Sequence, residues 1–344
     1  MKFPERCESE EHLDTVLAEP YPELGALLGK MDGDVIILGI AGKMGITLGM
    51  AAVNAIRRAG LTKAVIGVSR FSEAGSEALL QRAGLKTMRC DLLDRDSVAR
   101  LPRVPNVIYM AGRKFGTDGQ ECQTWASNVI VPANVAQHFA ESRIVAMSTG
   151  CVYPLVGAAS GGCRETDPVA PVGEYAQSCL GRERVFEYYS RARGTPVCLI
   201  RLSYACEPRY GVLHDIGRKV WQNEAIDLGV SHFNAIWQGD ANNQVLLSLA
   251  HCGSPAVPLN VTGLETTSVR EVALAFGRRM GREVRFTGGE AGSAYFLNAQ
   301  KAAALFGPPR TSLSQVLAWT AEWIMAGQRS LNKPTHYEVR NGKF

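Results

Sequence analysis

"DVIILGIAGKMGITLGMAAVNAIRRAG", residues Asp34–Gly60, decides how the rest of the chain is read. It opens on four apolar residues, Val35–Leu38, with no polar alternation. That is the pattern of a strand buried on both faces. Gly39, Gly42 and Gly45 follow at once, and helical apolar spacing then runs to Gly60, a helix stop. Glycines at such a junction allow a tight turn and let the backbone approach a ligand closely. The helix that starts there offers free N–H groups and the positive end of its dipole, a ready site for a pyrophosphate.

The residues downstream repeat the alternation. "KAVIGVS" (63–69), "LKTMRCD" (85–91), "NVIYMAG" (106–112), "RIVAMST" (143–149) and "PVCLIRLS" (196–203) read as strands. Helical stretches separate them: "EAGSEALLQRAG" (73–84), a long helix from about Cys122 to Glu141, and one that carries Tyr175. Apolar strands alternating with helices imply an α/β fold, a doubly wound parallel sheet covered on both faces. After Ser203 the alternation weakens. "PLNVTG" (258–263) reads as one more strand; "SVREVALAFGRRMG" (268–281) and "SLSQVLAWTAEWIMAGQ" (312–328) read as amphipathic helices. The expected organisation is a helical extension (1–33), a dinucleotide-binding domain (34–203), a smaller interleaved substrate lobe (204–330, with strand 258–262 returning to the sheet) and an irregular tail (331–344).

Composition narrows the function. The chain of 344 residues is 46% hydrophobic, enough for a large core. It has no apolar run of spanning length, and "MKFPERCESEEHLD" lacks an apolar signal core, so the expected location is cytoplasmic. The net charge of +4 is small and its basic residues are scattered, which argues against nucleic acid as a partner. The nine cysteines form no CxxC pair, against a secreted disulfide framework. The six histidines do not cluster, and His251–Cys252 is the sole His/Cys neighbour pair, so no metal is expected. "NVT" at Asn260 matches a glycosylation sequon, which has no meaning in the cytoplasm.

The end of the second strand bears on cofactor choice. A carboxylate there would hold the adenosine ribose hydroxyls. Here stand Ser69 and Arg70. Arg70, helped by Lys43, suits a 2′-phosphate, so NADP is expected over NAD.

Several stretches, taken in order, resemble the extended short-chain dehydrogenase/reductase superfamily, in particular its NAD-dependent epimerase/dehydratase group. "GIAGKMG" (Gly39, Gly42, Lys43, Met44, Gly45) resembles GxxGxxG, and "CDLLD" the segment whose Asp91, beside Leu92, meets the adenine. "YMAGRKFG", with Ala111, Gly112, Arg113 and Lys114, is similar to a post-strand loop of UDP-galactose epimerases that also carries a lysine. "SNVIVPANV" resembles the helix segment with Asn128, "MSTGCVYP" the SSxxVYG motif, and "EYAQSCLGRE" the YxxSKLxxE motif. "RLSYACEP" resembles RxxNxxGP, and "WQGDANN" the VDDVA segment. The resemblance runs from about Asp34 to Gln328. It implies a Rossmann-type fold and a nicotinamide cofactor. It casts Tyr175 as acid/base, Thr149 as hydrogen-bond partner of the reacting oxygen, and Ser148 and Asn128 as supporting residues. It also implies a homodimer through the helices near 120–141 and 175–193, the latter rich in aromatics (Phe186, Tyr188, Tyr189).

Three departures from the family pattern matter. The lysine position is Cys179. A free phenol titrates near 10, and lowering it by about 3 units takes roughly 4 kcal/mol, which a neutral thiol cannot supply. The replacements expected are Arg113, Lys114 and the charge of the oxidised nicotinamide; Arg182, two turns along the helix, is expected to lie too far away. The Asp-Glu pair of the dehydratases is Gly150–Cys151 here, which ranks water elimination below reduction, oxidation or epimerisation. The arginine that meets a sugar-nucleotide pyrophosphate is Phe233, and the RxxN asparagine is Tyr204, which favours a smaller sugar, sugar acid or related polyhydroxy carbonyl over a nucleotide sugar. Arg209, His214, Arg218, His232 and Trp237 are weaker candidates for that pocket. The expected activity is an NAD(P)-dependent oxidoreductase or epimerase. Its competitors are a cofactor-binding sensor that has lost its chemistry and a nucleotide-sugar epimerase.

Overall fold

The apolar runs of the first half become neighbouring strands of one sheet. The computed structural model describes residues 4–114, 119–290 and 292–342. Seven strands, β1 Val35–Leu38, β2 Val65–Ser69, β3 Lys86–Arg89, β4 Asn106–Tyr109, β5 Arg143–Thr149, β6 Val197–Leu202 and β7 Val257–Val261, pair in the order β7-β6-β5-β4-β1-β2-β3. Every pairing is parallel. The four side chains of β1 are wholly buried, each contributing about 1.5–3 kcal/mol of apolar burial. The exception is β3, whose mixed sequence KTMR fits its place at the sheet edge, where two of four residues are exposed.

The helices in chain order are α1 Glu10–Leu17, α2 Pro22–Lys30, α3 Gly45–Arg58, α4 Ser76–Ala83, α5 Arg95–Ala99, α6 Glu121–Trp125, α7 Val131–His138, α8 Gly173–Arg193, α9 Val212–Trp221, α10 Gln238–Leu247, α11 Val269–Met280, α12 Gln300–Phe306 and α13 Leu313–Met325. Side chains of α2, α3 and α10 pack on one sheet face, and those of α5, α7 and α8 on the other. A further apolar cluster joins α1, α9, α11 and α13, with Phe233, Trp237 and Tyr337. The long helix expected from about Cys122 to Glu141 runs unbroken from Glu121 to His138, with a π-helical stretch at Ala126–Ile130 between α6 and α7. Pro132 stands just beyond and cannot donate a backbone hydrogen bond, which disturbs the regular ladder.

Strand order reverses between β1 and β4, and this opens a crevice at their carboxyl ends. The turn after β1 is shaped by two glycines. Gly39 has φ +86°, and a Cβ there would stand 2.7 Å from the Ala111 backbone nitrogen. A Cβ on Gly45 would stand 2.3 Å from the Ile40 carbonyl oxygen. No other residue lets the turn close against β4 and start α3 at once.

The irregular tail is tied down. The Leu331 N–H donates to the Arg209 carbonyl at 3.1 Å. The Thr335 N–H and hydroxyl donate to Asp215 Oδ2 at 2.7 and 2.5 Å. Arg340 Nη2 donates to the Ser293 hydroxyl at 2.8 Å. Residues 331–342 therefore form a strap over the second half of the chain rather than a loose end. No described helix is long and apolar enough to cross a membrane.

Candidate active site

Two cavities meet over the glycine turn. One, of about 390 Å³, is lined by Lys43, Met44, Gly45, Lys114, Met147, Ser148, Thr149, Tyr175 and Tyr204, among others. The other, of about 530 Å³, is lined by Ser69, Arg70, Asp91, Leu92, Ala111 and Arg113, with Glu73 also on its wall. Gly39, Gly42, Met110 and Gly112 line both. This is the shape of an extended ligand laid across the crest of the sheet. Met44, before α3, makes no side-chain cap, so the first N–H groups of a 14-residue helix face the turn without a capping side chain. The chain thus fits a dinucleotide: the glycine turn for its pyrophosphate, the larger cavity for the adenosine half, the smaller for the nicotinamide half. Asp91 already accepts the Leu93 N–H through one oxygen at 3.0 Å.

Thr149 ends β5, and Tyr175 lies in the first turn of α8. Both side chains line the same cavity. Cys179 stands one turn along the same helix and is wholly buried. Burial, then the neighbouring Cys179 and Cys151, drive the Tyr175 phenol well above its usual range; Arg182 and the Thr149 hydroxyl pull the other way without prevailing. In this state Tyr175 is a proton donor. Ser148 lines the same cavity, but its hydroxyl donates to Glu183 Oε1 at 2.6 Å. Glu183 in turn receives Arg201 through Nε at 3.1 Å and Nη2 at 2.8 Å, and Arg201 Nη1 reaches the Tyr153 hydroxyl at 2.7 Å. Ser148 is thereby the rim of a buried ion-pair network.

The structure corrects the expectation about charge near the phenol. Arg182 is not remote. It is buried, donates from Nη1 to the Met147 carbonyl at 2.8 Å and from Nη2 to Asn128 Oδ1 at 2.5 Å, and its charge acts on both Tyr175 and Cys179. A Cβ on Gly112 would meet its Nη2 at 2.3 Å, so the guanidinium fills the floor behind the loop after β4. Arg113 lines the adenosine-side cavity, away from the phenol, and its backbone N–H and carbonyl are both bonded to the Asn128 amide. Lys114 does line the Tyr175 cavity. The rest of that expected loop, Phe115 and Gly116, lies outside the described residues.

Lys43 also departs from expectation. It lines the Tyr175 cavity and not the adenosine side. Its ammonium donates to the Ala205 carbonyl at 3.2 Å and sits 3.5 Å above the Tyr210 ring. Burial lowers its pKa to about 7 against the raising influence of Glu207 and Cys206.

Of the weaker pocket candidates, only Tyr204 lines this cavity. It has φ +38°, a left-handed conformation costly for a bulky residue. Phe233 and Trp237 are core: Phe233 stacks edge-on to Tyr204 at 6.2 Å, and Trp237 packs against Trp319 at 5.0 Å. Asn128 is wholly buried and braces Arg113 and Ser178 instead of facing the cavity. Arg209 is held by Glu207 and Asp14. Together with His214 and Arg218 it lines a separate outer cavity. His232 contacts the Ser231 hydroxyl at 2.9 Å. Sequence reasoning set Arg182 too far away and missed Glu183, Arg201, Tyr210 and the strap residues Lys333 and Thr335. For two of them a signal existed. Arg182 and Glu183 stand seven and eight residues after Tyr175, on the same helix face, and charges on a buried stripe need partners.

A model of the NAD dependent epimerase/dehydratase family matches residues 35–222. This chain belongs to that family. The epimerase/dehydratase chain is accordingly of an enzyme kind that works with a nicotinamide dinucleotide. It is similar in fold to DesIV, a dTDP-glucose 4,6-dehydratase from Streptomyces venezuelae solved with NAD, at 20% identity and TM-score 0.72 over 85% of this chain and 97% of that one. It is also similar to UDP-glucose 4-epimerase from Thermotoga maritima, at 19% identity and TM-score 0.70 over 86% and 99%. UDP-glucuronic acid 4-epimerase from Bacillus cereus, solved with NAD, shares 18% identity at TM-score 0.71 over 85% and 96%. No curated protein matches the sequence.

Proposed function

We propose that this epimerase/dehydratase-family protein is an oxidoreductase or epimerase acting on a hydroxyl or carbonyl of a small polyhydroxy substrate, a sugar or sugar acid. The observation that carries the reading is that Tyr175 and Thr149 line the same cavity as the glycine turn. When bound, the nicotinamide ring supplies hydride exchange. Thr149 orients the reacting oxygen, and Tyr175 delivers or takes its proton. Lys114 and Arg182 are the protein charges that offset a developing phenolate, in place of the family lysine. Gly150 and Cys151 leave no carboxylate at the dehydratase positions, which supports redox chemistry or epimerisation over elimination.

The test is the absorbance of the reduced nicotinamide band in protein loaded with cofactor and mixed with a panel of sugars and sugar acids. A reversible change with one of them is expected. A bound cofactor whose band never moves would favour a sensor.

For the cofactor we propose NADP. Ser69 and Arg70 line the adenosine cavity at the end of β2, where a ribose-binding carboxylate would repel a 2′-phosphate. Arg70→Ala should weaken NADP about 10- to 100-fold, the value of one charged hydrogen bond, and leave NAD unchanged. Equal losses for both dinucleotides in a binding titration would rule out this role.

A further inference from the structure

Tyr175 stands in the end turn of its helix. α8 begins at Gly173, and Val172 before it supplies no side-chain cap. The first N–H groups of a helix lack intrahelical partners, and an uncapped end opens more easily than the middle. That turn is therefore held by what packs on it. From α6 the Trp125 indole donates to Glu174. A second contact comes from the far end of the chain. Gly173 has φ +81°, and a Cβ on it would stand 2.5 Å from the Gly342 carbonyl oxygen. Gly342 has φ +75°, and a Cβ on it would stand 2.2 Å from the Val172 carbonyl oxygen. The two backbones lie directly against each other, an approach that needs glycine on both sides. The strap that delivers Gly342 is anchored along its length. Thr335 is bonded to Asp215 of α9, and Glu338 pairs with Lys219 of the same helix at 3.4 Å. The buried Tyr337 ring lies in the apolar cluster of α9, α11 and α13, and Arg340 donates to Ser293. On the way Lys333 and Thr335 line the cavity of Tyr175. The strap thus joins the second half of the chain to the start of the helix that carries the phenol.

We infer that the C-terminal strap is a working part of the active site and that Gly342 is a positioning residue, which seats the first turn of α8 and through it the Tyr175 hydroxyl. This rests on the proposed function for giving Tyr175 the proton. Gly342 lines neither cavity over the glycine turn; it acts through α8. Tyr175 stands two residues beyond the contact, and a displacement of about 1 Å at a reacting group costs about 10²-fold in rate.

The experiment follows amide hydrogen exchange and the nicotinamide band in cofactor-loaded protein that carries one of two substitutions. Gly342→Ala forces the strap end off Val172. Arg340→Ala releases it from Ser293 and adds no atom at α8. In a helix the N–H groups of Gln177, Ser178 and Cys179 donate to the carbonyls of Gly173, Glu174 and Tyr175, so their amides report on the first turn. Both variants should exchange these amides about 5- to 10-fold faster, the worth of one capping contact, with exchange in β1 and β5 unchanged. For whichever of the assay's sugars, glucose and glucuronate among them, moves the band, kcat should fall about 10- to 100-fold with cofactor affinity unchanged. In a Tyr175→Phe background the same substitutions should cost no further rate, because no hydroxyl is left to place. Unaltered exchange at Gln177–Cys179, an unaltered kcat, or a loss that persists at full size without the phenol would overturn the inference. Tyr175→Phe at full kcat, or a panel in which no sugar moves the band, would instead sink the proton reading, and exchange at Gln177–Cys179 would then still decide whether the strap seats the helix.

Discussion

Replacing Tyr175 with phenylalanine should lower kcat about 10²- to 10⁴-fold, the usual worth of a positioned acid/base, while cofactor affinity stays as it was. The phenol shares a cavity wall with Thr149 at the end of β5, and its ring is already buried, so the substitution removes one oxygen and little packing. The pH dependence has a definite sign. Burial raises the phenol's pKa, with Cys179 and Cys151 adding to the effect. The protonated form is then the one present at neutral pH. Carbonyl reduction, which needs a proton donor, should be level through neutrality and fall only on the alkaline side. Hydroxyl oxidation, which needs a base, should keep rising with pH past the point where a lysine-assisted tyrosine would level off. Arg182→Met removes a charge that favours phenolate and should push the oxidative limb further up. A phenylalanine variant with more than about a tenth of the original kcat, or an oxidative profile that levels near neutrality, would remove Tyr175 from the proton path.

The second large effect is on stability. Glu183 and Arg201 are almost wholly buried, at 0% and 5% side-chain exposure, and are joined at 2.8 Å. Ser148 and Tyr153 complete the network. Glu183→Ala strands a guanidinium inside the protein and should cost about 3–5 kcal/mol, read as a lower urea midpoint. The double variant Glu183→Ala, Arg201→Met should lose less than the sum of the single losses, because neither charge is left alone. A loss below about 1 kcal/mol for Glu183→Ala would mean that water reaches the pair.

Much of the frame was legible because it depends on local order along the chain. Val35–Leu38, the glycine turn and α3 are contiguous, and their periodicity states strand, turn and helix without help from elsewhere. All seven sheet strands could be read this way, although β3 is edge-exposed where uniform burial was expected. The π-helical stretch at Ala126–Ile130 was not read, because Pro132 beside it also fits the first turn of an ordinary helix. The candidate site divides similarly. Tyr175 and Thr149 could be named from motif position. Phe233 and Trp237 could not be placed, because an aromatic residue reads alike in a core and in a pocket wall.

The sequence alone determined the order of strands and helices and the dinucleotide-type turn, since each is written in neighbouring residues. Only the tertiary structure decided where the charges fall. Arg182 reaches Asn128 across 54 residues, and Lys333 reaches the cavity of Gly39 because the strap returns over the second half of the chain. Long side chains on distant segments find one another through packing and desolvation, and no spacing along the chain records that meeting.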